Sequence, residues 1–247
     1  PVIFHMENEE WYLKKETGRL ERSQVNAYCA TKEDIKSMVK FISSYSLYAY
    51  EDEMKRGFIT MQGGHRIGVA GQVVMDGGKV LSLSNIYFLN IRVAREKRGC
   101  AKDIIPYLIH RNNIYNTLFV SPPGIGKTTY LRDAIRILSN GSDRLHGMKI
   151  SIIDERSEIA ACRQGIPQND IGIRSDVLDG CLKSFGMLLM LRSMAPQIIA
   201  VDEIGSREDC RAMEQAIYSG SRIIGTVHAY DCLLYTSPSP RDSTSSR

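Results

Sequence analysis

The stretch Ser121-Pro122-Pro123-Gly124-Ile125-Gly126-Lys127-Thr128-Thr129 joins residue types suited to gripping phosphate. Glycines at 124 and 126 let the backbone bend so that successive N–H groups converge on anionic oxygens. Lys127 is placed to reach the outer phosphates of ATP, and Thr128 offers a hydroxyl to Mg2+. The helix expected to start there adds the positive end of its dipole. The pattern G-x-x-x-x-G-K-[ST] asks for glycine at position 121, where this chain has serine. A serine fits provided its φ stays negative. The bland alternative is a coincidental glycine-rich turn. An apolar strand before the stretch and a helical pattern after it argue against that.

Acidic strand ends supply the rest of a nucleotide chemistry. Residues 197–205, Q-I-I-A-V-D-E-I-G, form an apolar run ending in Asp202 and Glu203. Asp202 would hold Mg2+, and Glu203 would polarise an attacking water. Alone, the run reads equally well as a strand before an acidic helix start; downstream of a phosphate-binding loop it reads as a metal-binding strand. Residues 151–160, S-I-I-D-E-R-S-E-I-A, end another buried strand in Asp154 and Glu155. Those two carboxylates should land beside the phosphate loop if their strand lies near the first one. Residues 225–229, G-T-V-H-A, carry Thr226 and His228, which could sense a γ-phosphate or position water. Taken singly, each of these last two segments reads more simply as a solvated strand end. Arg66, Arg92, Arg95 and Arg174 are candidates for stabilising charge on a transferred phosphoryl group, often across a subunit boundary. Sequence does not choose among them.

The elements that must position these residues fall into two halves. From Asn116 onward the pattern is βαβα. Strands are expected at 116–120, 149–154, 197–201 and 222–227. Helices are expected at 127–138, at 182–194 (buried, ended by Pro196) and at 207–219. Short apolar strands alternating with helices imply a parallel sheet covered on both faces, with ligands at the carboxyl ends of its strands. Before that, Thr31 and Asp34 form a capping-box start to a helix in which Ile35, Met38, Val39 and Ile42 recur at helical spacing. A short helix follows at 50–56, and then the period changes to two. Strands are expected at 57–61, 65–75 and 79–94, with a hairpin turn at 76–78. Gly63, Gly64, Gly68 and Gly71 interrupt this sheet, as at bulges or close backbone approaches. The expected fold is therefore α/β: a P-loop domain over 100–231 preceded by a small α+β domain over 1–99. Residues 96–103 read as the linker into a helix at about 101–111.

Composition narrows the function classes. A hydrophobic content of 43% suits a chain that buries a proper core, and no apolar run approaches the ~20 residues of a spanning helix. The net charge of +4, scattered rather than striped, gives no reason to expect nucleic acid as a partner. The beginning, Pro1 to Glu10, has no secretory pattern, and it lacks an initiating methionine. The 6 cysteines contain no C-x-x-C pair and read as reduced thiols rather than a metal site.

Taken together, the motifs resemble a known family. The runs Y-S-L-Y-A-Y-E-D-E-M-K-R-G-F-I-T-M-Q-G-G-H-R-I-G-V-A-G-Q, S-P-P-G-I-G-K-T-T-Y-L-R-D, I-I-D-E-R-S-E-I-A and R-S-M-A-P-Q-I-I-A-V-D-E-I-G are similar to the stage III sporulation protein AA family of endospore-forming bacteria. The likeness runs over most of residues 40–231. That family is similar to type II and type IV secretion ATPases, whose RecA-like cores assemble as rings. The resemblance implies that I-I-D-E-R-S-E-I-A is the Asp box and G-T-V-H-A the His box of those enzymes, adding Glu155 and His228 to Glu203 as catalytic candidates. It implies ATP and Mg2+ as cofactors, homo-oligomeric rings, and membrane proteins of a channel complex as partners. It places the protein in the mother-cell cytoplasm, peripheral to the membrane, energising a channel into the forespore. It also implies further strand and helix after the His box, so the 100–231 domain is expected to be C-terminally truncated. A non-hydrolysing assembly module is the alternative reading, and a RecA-like nucleic-acid motor is disfavoured by the weak charge.

Residues 232–247 contain almost nothing that could pack. A Ser/Pro-rich end reads first as a disordered linker. A sharper reading is that one choice of codons for Cys232 to Asp242 reproduces a transposase-type library adapter, which makes the tail non-native.

Overall fold

The structure is a computed structural model that describes residues 1–6, 9–43, 50–110, 113–142 and 145–229. The tail at 232–247 lies outside the described residues. The chain divides into two compact units, one of residues 1–61 with 65–93 and one of residues 62–64 with 94–247.

In the first unit, β1 (Ile3–Met6), β2 (Glu9–Leu13) and β3 (Leu20–Glu21) form an antiparallel sheet. Sequence patterning assigned no element there. These strands are short and largely exposed, so they carry little of the apolar alternation that marks a half-buried strand. Helix α1 (Lys32–Ile42) starts with Thr31 and Asp34 in a complete capping box. After α2 (Glu51–Lys55), strands β4 (Phe58–Thr60), β5 (Arg66–Asp76) and β6 (Lys79–Arg92) form a second antiparallel sheet in that order. Its inner face closes on Ile42, Tyr50 and Met54 through Ile59, Ile67 and Val69. The β5–β6 register shifts at Gly71, between Ala70 and Gln72. Only glycine fits, because a Cβ there would lie 2.6 Å from the Asn85 carbonyl oxygen.

In the second unit, a single turn of helix, α3 (Ile105–Leu108), runs into the small hairpin of β7 (Ile109–His110) and β8 (Asn113–Ile114). The expected helix at 101–111 is thus shorter. Ile109 is already extended, and the Tyr115 N–H closes the hairpin on the Leu108 carbonyl at 2.9 Å. Then come β9 (Thr117–Ser121), α4 (Lys127–Asn140), β10 (Ile150–Asp154), β11 (Ser175–Asp179), α5 (Lys183–Met194), β12 (Ile198–Val201), α6 (Arg207–Tyr218) and β13 (Arg222–His228). Strand β11 was not foreseen: Ser175-Asp176-Val177-Leu178-Asp179 has a loop-like composition and becomes a strand by pairing in parallel with β10.

The five strands form one parallel sheet in the order β11-β10-β12-β13-β9. Alternate residues serve opposite faces. Ile150, Ile152, Ile198, Ala200 and Ile224 pack with Leu131, Ile135 and Leu138 of α4. Ile153, Ile199, Val201 and Val227 pack with Met187 and Met190 of α5 and with Ala212 and Ala216 of α6. Apolar residues on both faces are what a parallel sheet between helix layers requires. Helix α5 was expected to be buried. It buries one stripe and leaves Phe185 and Leu189 63% and 42% exposed, because in this unit it meets the sheet from one side. No helix among the described residues is long and apolar enough to cross a membrane.

Candidate functional site

Strand order assembles the site. Strand β13 lies between β9 and β12, so the carboxyl ends that carry the glycine loop, Thr226 with His228, and Asp202 with Glu203 stand side by side. Ser121, opposite His228 in the register, is the last residue of β9 and has the extended backbone that a serine tolerates. Pro122 and Pro123 lead into the turn, and Ile125 is exposed at its tip between the two glycines. Gly124 and Gly126 have φ of 80° and 96°, with open space where a Cβ would stand. Gly126 caps α4 without a side-chain hydrogen bond, so the amides of Lys127, Thr128 and Thr129 have no side-chain cap over them.

Lys127 is buried, and its ammonium donates to the carbonyls of Ser121 at 2.8 Å and Pro122 at 2.9 Å. It also lies 2.9 Å from His228 Nδ1. His228 Nε2 in turn sits 2.8 Å from Glu203 Oε1. The Thr128 hydroxyl donates to Asp202 Oδ2 at 2.7 Å, and Thr226 donates to Asp202 Oδ1. Thr226 also accepts the Glu203 N–H at 2.8 Å. Glu203 holds a left-handed φ of 52°, an uncommon conformation for a side chain of this size. Burial pushes the Glu203 carboxyl up, but the hydrogen bond from His228 and the nearby Arg156 cation outweigh it. The net result lies below the usual carboxylate range.

The Asp154–Glu155 pair lies elsewhere. Strand β10 is separated from β9 by β12 and β13, so the condition that would have set these carboxylates beside the loop is not met. Asp154 is buried and accepts the N–H groups of Glu158, Ile159 and Ala160 at 2.7, 3.0 and 2.8 Å. Burial dominates its titration and raises its pKa, against those three donors. Glu155 pairs with Lys183 at 2.5 Å. Arg156, between the two acids and Ser157, reaches Glu203 Oε2 instead. Sequence reasoning passed over Arg156; its place in the D-E-R run was the available signal.

The arginine candidates divide as well. Arg66 stacks on Phe58 at 3.5 Å, and Arg174 donates to the Ser139 and Asn140 carbonyls at 3.0 and 3.2 Å. Arg92 and Arg95 are exposed. The five described cysteines are all free thiols.

The residues fit a phosphate group with Mg2+. The glycine cradle has room for phosphate, and the Thr128 hydroxyl beside the Asp202 carboxylate is a hard-oxygen pair of the kind Mg2+ uses. Among the described residues no group of three His, Cys, Asp or Glu could hold a metal unaided.

The family model described as "Sporulation stage III, protein AA" matches residues 4–236. The chain belongs to this family. The stage III sporulation protein AA of Bacillus subtilis (strain 168) is 45% identical over 204 residues, covering 83% of this chain and 66% of the relative. The chain thus spans just under two thirds of that relative's length. Among solved structures, the Legionella pneumophila ATPase DotB superposes with a TM-score of 0.56 at 16% identity, covering 98% of this chain and 66% of that one. The pilus retraction motor PilT with bound ADP gives 0.56 at 14% identity, covering 90% and 60%. With the five-stranded parallel sheet, these likenesses establish a RecA-like α/β fold for this family member.

Proposed function

We propose that this sporulation protein is an Mg2+-dependent ATPase whose hydrolysis energises a channel complex between mother cell and forespore. One observation carries the reading: Thr128 and Asp202, 74 residues apart, meet at 2.7 Å beside a left-handed Glu203. Backbone N–H groups of 124–129 and the Lys127 ammonium would bind the phosphates. Thr128 and Asp202 would hold Mg2+, which when bound supplies charge neutralisation on the phosphate oxygens. Glu203 would orient and deprotonate the attacking water, and His228 would report on Lys127 at the terminal phosphate. Glu155 would act through Lys183, as a support to the base. The fold neighbours include an ATPase and an ADP-bound motor, which supports nucleotide as the ligand. Assembly into a homo-oligomeric ring, docking on membrane proteins of the complex, and a peripheral place in the mother-cell cytoplasm belong to the same proposal. So does the division of the chain into a 1–99 domain and a P-loop domain from 100.

The test is ATP turnover of the full chain against Lys127→Ala and Glu203→Gln. Lys127→Ala should weaken nucleotide binding, and Glu203→Gln should keep binding and lose turnover. Equal rates in all three would overturn the reading. A second reading, a non-hydrolysing nucleotide-binding assembly module, is favoured by the engagement of both Glu203 oxygens, by His228 and Arg156. Nucleotide-dependent assembly without phosphate release would establish it.

A further inference from the structure

Glu203 is held at both ends of its carboxylate. His228 takes Oε1 at 2.8 Å from the end of β13, and Arg156 takes Oε2 from the loop after β10. The loop carrying Arg156 is itself anchored from three sides. The buried Asp154 carboxylate caps the N–H groups of residues 158–160. Arg132, on the helix that begins at Lys127, donates to the Ile159 carbonyl at 2.6 Å and the Glu158 carbonyl at 2.5 Å. Ser157, at a φ of 54°, donates to Asp179 Oδ1 at 2.6 Å. Lys183, the other cation near Glu203, is engaged by Glu155 at 2.5 Å. Among the described residues, Arg156 is the arginine or lysine whose side chain bonds Glu203.

We propose that Arg156 is the positioning residue for Glu203, and that the Asp154 loop, clamped by Arg132, is its mount. Resting on the ATPase reading, this assigns the D-E-R run an indirect part in the reaction. Asp154 shapes the loop, Glu155 withdraws Lys183, and Arg156 aims the base. The Arg156 side chain is 61% exposed, and a bridge so open to water contributes little to stability. Its effect therefore lies in aim rather than folding.

The experiment compares Arg156→Ala, Arg156→Lys and Glu203→Ala in the full chain. In the nucleotide-free protein, the His228 Nε2–H resonance reads the bond to Glu203 directly. Arg156→Ala should move that resonance at least half way towards its position in Glu203→Ala, and Arg156→Lys should leave it near the parent. With ATP, Arg156→Ala should lower kcat at least tenfold with nucleotide affinity unchanged, and Arg156→Lys should recover part of the loss. An unmoved resonance, or a loss confined to nucleotide affinity, overturns the proposal. If the parent chain does not hydrolyse ATP, the ATPase reading fails on its own, and the nucleotide-free resonance still decides whether Arg156 holds Glu203.

Discussion

The Lys127 ammonium lies 2.9 Å from Nδ1 of His228, across 101 residues of chain. An ammonium can only donate, so Nδ1 must accept, and the ring proton must sit on Nε2, where it is donated to Glu203 at 2.8 Å. One neutral imidazole thereby connects Lys127 to Glu203. Nitrogen NMR of the nucleotide-free chain should show a bare Nδ1 and a protonated Nε2 for His228 near neutral pH. Lys127→Ala should shift the Nδ1 signal while Glu203 keeps the proton on Nε2; an unchanged Nδ1 signal would contradict the contact.

Thr226 joins two parts of the site beneath the surface. It is fully buried, donates to Asp202 and accepts the Glu203 N–H at 2.8 Å. Thr226→Val keeps the shape and deletes the hydroxyl, leaving the part-buried Glu203 N–H and Asp202 Oδ1 their longer bond to each other at 3.2 Å. The expected loss is about 0.5–1.5 kcal/mol in denaturant unfolding. Thr226→Ser, which keeps the hydroxyl, should recover most of it.

Asp133 should lend stability that is lost in acid. It is 3% exposed, accepts the Ala101 N–H at 2.8 Å and pairs with Arg136 at 2.7 Å. Burial pushes its carboxyl up, but the backbone donors of Ala101 and Gly99, together with Arg136, prevail, so its pKa lies below the usual value. A folded pKa below the unfolded one contributes stability that is present above about pH 4 and lost as pH falls through the folded pKa. Asp133→Asn should therefore cost about 1–3 kcal/mol at pH 7. The gap from the parent should close as unfolding is measured at progressively lower pH; a gap of constant size would show that the charge is irrelevant.

Gly71→Ala should destabilise the first unit. The added Cβ would meet backbone atoms of Ser84, Asn85 and Ile86 at 2.6 to 2.8 Å, and backbone cannot swing aside. A loss of about 1–3 kcal/mol is expected from such overpacking. Gly68→Ala, whose nearest neighbour is 3.7 Å away, is the control and should be tolerated better in thermal unfolding.

Local chemistry made much of this legible in advance. The capping box at Thr31 and Asp34 needs only residues three apart, and the helix that opens at Lys127 is announced by the glycines before it. The runs that became β10 and β12 are buried throughout and mostly apolar because both faces of their sheet are covered, so they stood out against amphipathic neighbours. Strands β1 to β3 and β11 were hidden for the converse reason: exposed or charged, they are strands by virtue of their partners, not their pattern.

The sequence by itself determined which residue types could hold a nucleotide and at which strand ends they would stand. Strand order was a tertiary decision. Inserting β13 between β9 and β12 brought His228 between Lys127 and Glu203, and setting β10 beyond β12 kept Asp154 and Glu155 from the loop while letting Arg156 reach Glu203. Periodicity along a chain reports which face of a strand is buried, whereas lateral neighbours follow from how helices and strands close one common core. That is why Glu203 could be named from its motif, and the partners that hold it could not.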